Sequence, residues 1–256
     1  PVNENTYTDS LVSVLNSKVS DSLKADANFL LVDFWRSKDT LKSKSYLQKG
    51  KLLSQKYPYL KASYFFYEGQ YFQNWNKEKA AISYQKAQKE LRKFNTKASL
   101  LLQATSWYNY GIVKKDKEGY PFVMDILTKY SIPLTEKAED KEKLAHYYSQ
   151  FGTILMYNAQ FDKATTYNQK AIDLLKKDFP NSSTLVLAYI GASNNYIYAD
   201  KKQEAKKMMD AAKAILAPFP ESTNYAFYYL NECHYYLSIS DFEEALKSAA
   251  KGIELS

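Results

Sequence analysis

Glycine and proline are both scarce in this chain, 7 of each among 256 residues, where average usage would put the pair near about 12%. So few chain breakers leave little room for a turn-rich β-sandwich, a collagen-like repeat or a low-complexity tail. A single cysteine, Cys233, excludes an internal disulfide and a thiol-rich metal site. No run approaches the about 18 uninterrupted apolar residues of a membrane-crossing helix. Catalytic motifs are missing as well: there is no HExxH, GxSxG, GxxxxGK[ST] or GxGxxG. What is present is ring-rich, with 24 Tyr, 13 Phe and 3 Trp in a chain that is 45% hydrophobic. That content can bury a core and argues against disorder. A helical chain of one to two domains remains.

Positive charge exceeds negative, 35 Lys+Arg against 28 Asp+Glu for a net +7. Nucleic acid or an anionic membrane could use such a surface. The lysines, however, are dispersed along the chain without a run of five or six, which reads as a solvated face. The chain opens on Pro1 rather than Met and is read as processed or cut from a longer protein. The lack of a leader therefore says nothing about compartment.

A pattern recurs at about forty residues. In AHYYSQFGTILMYNAQFDKATTYNQKAIDLL, starting at Ala145, Tyr148, Phe151 and Gly152 precede Ala164 and Ala171, with Pro180 beyond. Trp107-Tyr108-Asn109-Tyr110-Gly111 opens another unit, and Ala80, Tyr84 and Ala87 hold the second-helix positions of a third. Tyr189, Tyr196, Ala205 and Ala212 make a further unit, and Tyr229, Tyr236, Ala245 and Gly252 the last. A looser one involves Leu30, Phe34, Leu47 and Gly50. The alanines keep register: 84 residues separate Ala80 from Ala164, 41 separate Ala164 from Ala205, and 40 separate Ala205 from Ala245. Gly and Ala at these places let two helix backbones approach, and rings fill the remaining gaps. Pro58, Gly119-Tyr120-Pro121, Pro180-Asn181-Ser182-Ser183 and Pro218-Phe219-Pro220 fall at expected helix ends.

These residues resemble the tetratricopeptide-repeat (TPR) family, whose consensus period is about 34 residues; longer helices or loops are expected here. The resemblance implies an all-α, right-handed α-solenoid of about six helix pairs. The expected pairs lie near residues 24–57, 61–94, 104–137, 145–180, 186–219 and 226–256, behind an N-terminal capping helix within 1–20. One continuous domain over 1–256 is expected, since no linker divides the chain.

In the family, the first helix of each pair lines a concave groove that receives a protein or peptide. Register places Asn28, Val32 and Trp35 there, then Phe65, Phe66 and Phe72, then Tyr108, Asn109 and Ile112. His146, Ser149, Gln150, Thr153 and Tyr157 follow, then Ile190, Asn194, Ile197 and Tyr198, then Phe227, Leu230, Asn231 and His234. This is an aromatic and amide lining with little charge. The Lys and Asn set with which some TPR domains clamp a chaperone's terminal carboxylate is absent.

Catalysis finds little footing. His146 and His234 lie two repeats apart, and the neighbours Cys233 and His234 cannot face each other on one helix. Acids such as Asp241, Glu243 and Glu244 open a helix, where they cap amides and favour the dipole. No metal, cofactor or catalytic residue is expected. Asn181-Ser182-Ser183 matches a glycosylation sequon but reads as a turn. Repeated base-reading polar pairs are missing, which disfavours nucleic acid.

The stretches SDSLKADANFLLVDFW and KEKLAHYYSQFGTILMYNAQFDKA are similar to TPR sensor regions of bacterial signalling proteins. There such an array precedes a membrane helix and a histidine-kinase or DNA-binding output domain. That resemblance implies a non-catalytic, ligand-sensing or interaction role in a two-component system, with an extracytoplasmic location. A cytoplasmic peptide-responsive transcriptional regulator stays open, as do an enzyme subunit and a homodimer.

Overall fold

The computed structural model describes residues 4–255, and every regular element among them is helical. The described residues group into two compact units, one up to Glu139 and one from Asp140. In the first, α1 (Glu4–Asn16) packs on α2 (Asp21–Trp35), which pairs with α3 (Thr40–Leu53). A second pair is α4 (Pro58–Phe72) with α5 (Lys77–Leu91). The third begins with α6 (Lys97–Ile126), continues through a π turn at Leu127–Ser131 and ends in α7 (Ile132–Lys137). The second unit holds three pairs: α8 (Lys141–Tyr157) with α9 (Phe161–Asp178), α10 (Ser183–Tyr198) with α11 (Lys202–Leu216), and α12 (Asn224–Ser238) with α13 (Phe242–Glu254).

Among the described residues there are thus six helix pairs, whose first helices start at Asp21, Pro58, Lys97, Lys141, Ser183 and Asn224. The capping helix expected within 1–20 spans Glu4–Asn16, and residues 1–3 of that range lie outside the described residues. Side-chain caps set many of the starts. Asp39, Asn76, Asp140, Ser182 and Asp241 each accept from an amide in the first turn that follows. Pro58 falls at a helix end, as expected: the first pair closes at Lys56, and Pro58 opens α4, where its missing N–H costs nothing. Gly119 takes φ 80° and ψ 176°, which interrupts α6 so that the segment from Tyr120 becomes the second helix of its pair. Gly119 is therefore a breaker, as expected, while the π turn after it went unforeseen.

The steric reading of the small residues holds. Ala80, Ala164, Ala205 and Ala245 are all buried. A Cβ on Gly152 would lie 2.3 Å from Asn168 Oδ1 and 3.3 Å from the Ala164 carbonyl, so α8 and α9 meet at backbone distance. Gly69 does the same work between α4 and α5, since its Cβ would sit 2.6 Å from Tyr84 Cε1.

Three turns in the second unit are closed in one way. Ala159, Asp200 and Ser240 have φ of 56°, 57° and 62° at spacings of 41 and 40 residues. Behind them Gln160, Lys201 and Asp241 donate to the carbonyls of Leu155, Tyr196 and Tyr236 at 2.9, 2.8 and 2.9 Å. Each is a Schellman closure with a side chain where glycine is usual. Left-handed backbone costs an L-residue about 1–2 kcal/mol, partly offset by the entropy glycine loses on folding. Ala159→Gly and Ser240→Gly should therefore each stabilise by about 0.5–1 kcal/mol. In thermal unfolding this reads as a rise of about 2 °C per substitution, and a lowered midpoint would contradict it.

Candidate functional site

The first helices of the second unit form its inner layer: α10 packs on both α8 and α12, whereas the backbones of α9, α11 and α13 do not approach one another. Each second helix instead leans on the following first helix, α9 on α10 and α11 on α12. Positions equivalent by the turn register then stack across the layer. Thr153, Asn194 and His234 form one row, and Tyr157 and Tyr198 begin the next. Asn194 Oδ1 lies 3.5 Å from His234 Nδ1, so α10 and α12 are linked through the row. Gly191 of α10 faces α8: a Cβ there would stand in ordinary contact, 3.4 Å from Ser149 Oγ and 3.8 Å from Thr153 Oγ1. Tyr157 and Tyr198 are 58% and 56% exposed. The result is a half-buried amide, hydroxyl and imidazole strip edged by two exposed phenols.

His146 and Gln150 stand half-buried on α8. Burial, helped by the nearby Lys143 ammonium, pushes the His146 imidazole down to about 4, so it is neutral at pH 7 and offers lone pairs and a ring N–H, not charge. Two expected groove residues of this unit are corrected. Ser149 is buried where α8 meets α10, and Asn231 is 1% exposed with neither amide atom hydrogen-bonded. Phe227 is open, but it belongs with Leu230, Gly252 and Ile253 to an apolar recess of about 550 Å³ between α12 and α13. Cys233 is half-buried beside His234.

In the first unit the expected groove rings mostly pack. Phe66 is buried against Tyr67 and Tyr84, a correction to its groove placement. Phe65 is half-buried edge-on to Tyr64, with Lys86 of α5 over its ring. Phe72 meets Tyr71 and Trp75. Trp35 meets Phe34 and lies under Lys42. Asn109 donates to Tyr84 Oη at 3.2 Å, and that hydroxyl donates to Gln73 Oε1 at 2.5 Å. Tyr108 is half-buried and its phenol is pushed up to about 12 by desolvation. The lining read from register is here a packing layer, because α2, α4 and α6 bring rings into contact with their own second helices.

Sequence reasoning missed two carboxylates. Tyr64 Oη donates to Glu68 Oε1 at 2.5 Å and Ser83 Oγ to Oε2 at 2.8 Å. Four repeats on, Tyr228 Oη donates to Glu232 Oε1 at 3.0 Å and Ser248 Oγ to Oε2 at 2.8 Å. The signal was legible as Tyr-x-x-x-Glu on a first helix with Ser 15 or 16 residues later. Each carboxylate ties the two helices of its pair, a structural part and no acid–base pair.

Among the described residues no three of His, Cys, Asp and Glu gather as a metal site. None of the described helices is long and apolar enough to cross a membrane.

No family model matches the sequence, and no curated protein matches it. Solved structures do. Aspartyl phosphate phosphatase F from Bacillus subtilis superposes with a TM-score of 0.67 at 12% identity, over 97% of this chain and 74% of that one. The apo form of the quorum sensor NprR from B. thuringiensis gives 0.60 at 14% identity, over 97% and 80%. A putative kinesin light chain of TPR-like repeats from Podosopora anserina gives 0.59 at 12%, over 76% and 94%. At such identities the likeness concerns the fold. Six helix pairs, small residues in register at the helix contacts and these superpositions lead to one conclusion: the chain has the all-α fold of tetratricopeptide-like helix-pair repeats.

Proposed function

We propose that the chain is a non-catalytic binding module that senses a peptide through the first-helix layer of residues 140–256. The observation that carries this is the row Thr153–Asn194–His234 with Tyr157 and Tyr198 beside it. Amides and hydroxyls can bond both the N–H and C=O of an extended backbone, and open tyrosines add area with few rotamers to freeze. One similar fold is a quorum sensor, which supports a sensory reading in a bacterial signalling protein. Ligand bound across α8, α10 and α12 would favour whichever curvature of the layer it contacts best, and so bias an output.

A fluorescent library of unstructured octapeptides, read by polarisation, tests this. Asn194→Ala/His234→Ala and Tyr157→Ala/Tyr198→Ala should each weaken the selected peptides by about tenfold, or about 1.4 kcal/mol, with helical circular dichroism unchanged. Peptides that ignore both pairs would remove this surface from consideration.

A further inference from the structure

The net charge is not shared between the two units. Residues 1–139 carry 22 Lys+Arg and 14 Asp+Glu, whereas residues 140–256 carry 13 and 14. Half of that excess lies on α3, which carries four lysines and no acidic residue between Thr40 and Leu53. Its inward side is ordinary: Ser43, Leu47 and Gly50 are buried. Its outward side is not. Leu41, Ser45, Gln48 and Leu52 fall at i, i+4, i+7 and i+11, a single stripe on a helix. The two leucines are 79% and 75% exposed. At 3.6 residues per turn, Lys42 and Lys49 flank the stripe on one side and Lys44 and Lys51 on the other, and all four are exposed. Beside Leu52 lies a recess of about 520 Å³ lined by Val12, Leu15 and Tyr46 together with Lys24 and Lys49.

We propose that this outward face of α3 docks on an anionic phospholipid surface. A solvated helix gains nothing from holding two leucines open to water, since that forgoes about 25 cal/mol per Å² of burial. A lipid boundary accepts them, while the lysine stems lie along the apolar layer and carry their ammonium groups up to the phosphates. Each lysine close to an anionic leaflet adds to the attraction, without the fixed geometry a protein partner would demand. Nucleic acid fits less well. The chain has only two arginines, Arg36 and Arg92, and the stripe is aliphatic where base stacking needs rings.

Vesicle flotation tests the proposal, independently of any peptide in the second unit. At about 0.01 M ionic strength, where screening extends about 30 Å, the chain should float with phosphatidylcholine vesicles containing about 30% phosphatidylserine. It should not float with phosphatidylcholine alone. Leu41→Ser/Leu52→Ser and Lys44→Glu/Lys49→Glu should each lower the partition coefficient at least about tenfold. Lys176→Glu/Lys177→Glu, on α9, should leave it unchanged. Circular dichroism on each variant separates lost docking from lost fold, and the two α3 variants are independent tests. No flotation with the anionic vesicles overturns the proposal. So does flotation indifferent to the leucine pair, or binding to a single-stranded oligonucleotide that displaces the vesicles.

Discussion

Gly69→Val should destabilise the first unit by about 3 kcal/mol, at the upper end of what overpacking a core costs. The glycine sits on α4 opposite the Tyr84 ring, whose Cε1, Cδ1 and Cζ would lie 2.6, 2.7 and 3.0 Å from a new Cβ. The ring has no room to retreat. It is fully buried, lies against Phe66, and its hydroxyl is held between Asn109 and Gln73. A branched side chain adds atoms beyond that first clash, so α4 and α5 must separate or the ring must leave its bonded position. The measurement is urea unfolding followed by tryptophan fluorescence. Trp35, Trp75 and Trp107 all lie in this unit, so the signal reports on it alone. A second arm identifies the cause: in a Tyr84→Ala background the same Gly69→Val change should cost far less, because the space is then open. A coupling of 2 kcal/mol or so is expected for residues in direct contact. Equal costs in both backgrounds would assign the destabilisation to valine in a helix and not to the ring.

Glu232→Ala should cost about 2–4 kcal/mol in the second unit. The carboxylate is the acceptor for both Tyr228 and Ser248, and both of those residues are buried. Truncation leaves two buried hydroxyls without their acceptor, and a hydrogen bond to a charged group contributes about 1.5–3 kcal/mol. The Tyr228 phenol is already held well above its usual range by burial and by the Glu232 charge, so it stays neutral and donates. Glu232→Gln keeps one acceptor oxygen and should cost roughly half as much. Removing all three polar groups together, as Tyr228→Phe/Glu232→Leu/Ser248→Ala, should recover most of the loss, since no buried group is then orphaned. With no tryptophan in this unit, far-ultraviolet circular dichroism is the probe. A single Glu232→Ala effect below about 0.5 kcal/mol would mean that water replaces the carboxylate.

The helix pairs were legible because their contacts are made by small residues at fixed spacing. Ala164, Ala205 and Ala245 hold one geometric position, and Gly152 marks the closest approach of α8 to α9. Such positions tolerate little else, so the sequence carries them openly. The third pair was harder. Its second helix begins at a left-handed Gly119 and passes through a π turn, and its packing uses Val123, Ile126 and Leu127 instead of alanines. Side-chain direction was harder still. Register puts Phe65 and Phe66 in one expected lining, yet a step of one residue turns a side chain by about 100°, which separates a half-exposed ring from a core ring. Asn109 was expected to face a ligand, and Tyr84, 25 residues earlier, captures its amide instead. Glu68 and Glu232 escaped notice because a carboxylate on a helix normally reads as solvated. The lysines of α3 were read in the same way, and their meaning depends on the leucines between them, whose exposure only the fold reveals.

The turns after Ala159, Asp200 and Ser240 carry a last consequence, for how such a chain can change length. Because all three are closed by the same backbone conformation and the same pair of amide bonds, they are interchangeable joints. Excising Gln160–Asp200 would bring Ala159 directly to Lys201, joining a first helix to a second helix through the turn each already has. Duplicating that stretch would add one pair on the same terms. Growth or loss in steps of 40 or 41 residues leaves every joint intact, whereas any other step must rebuild one.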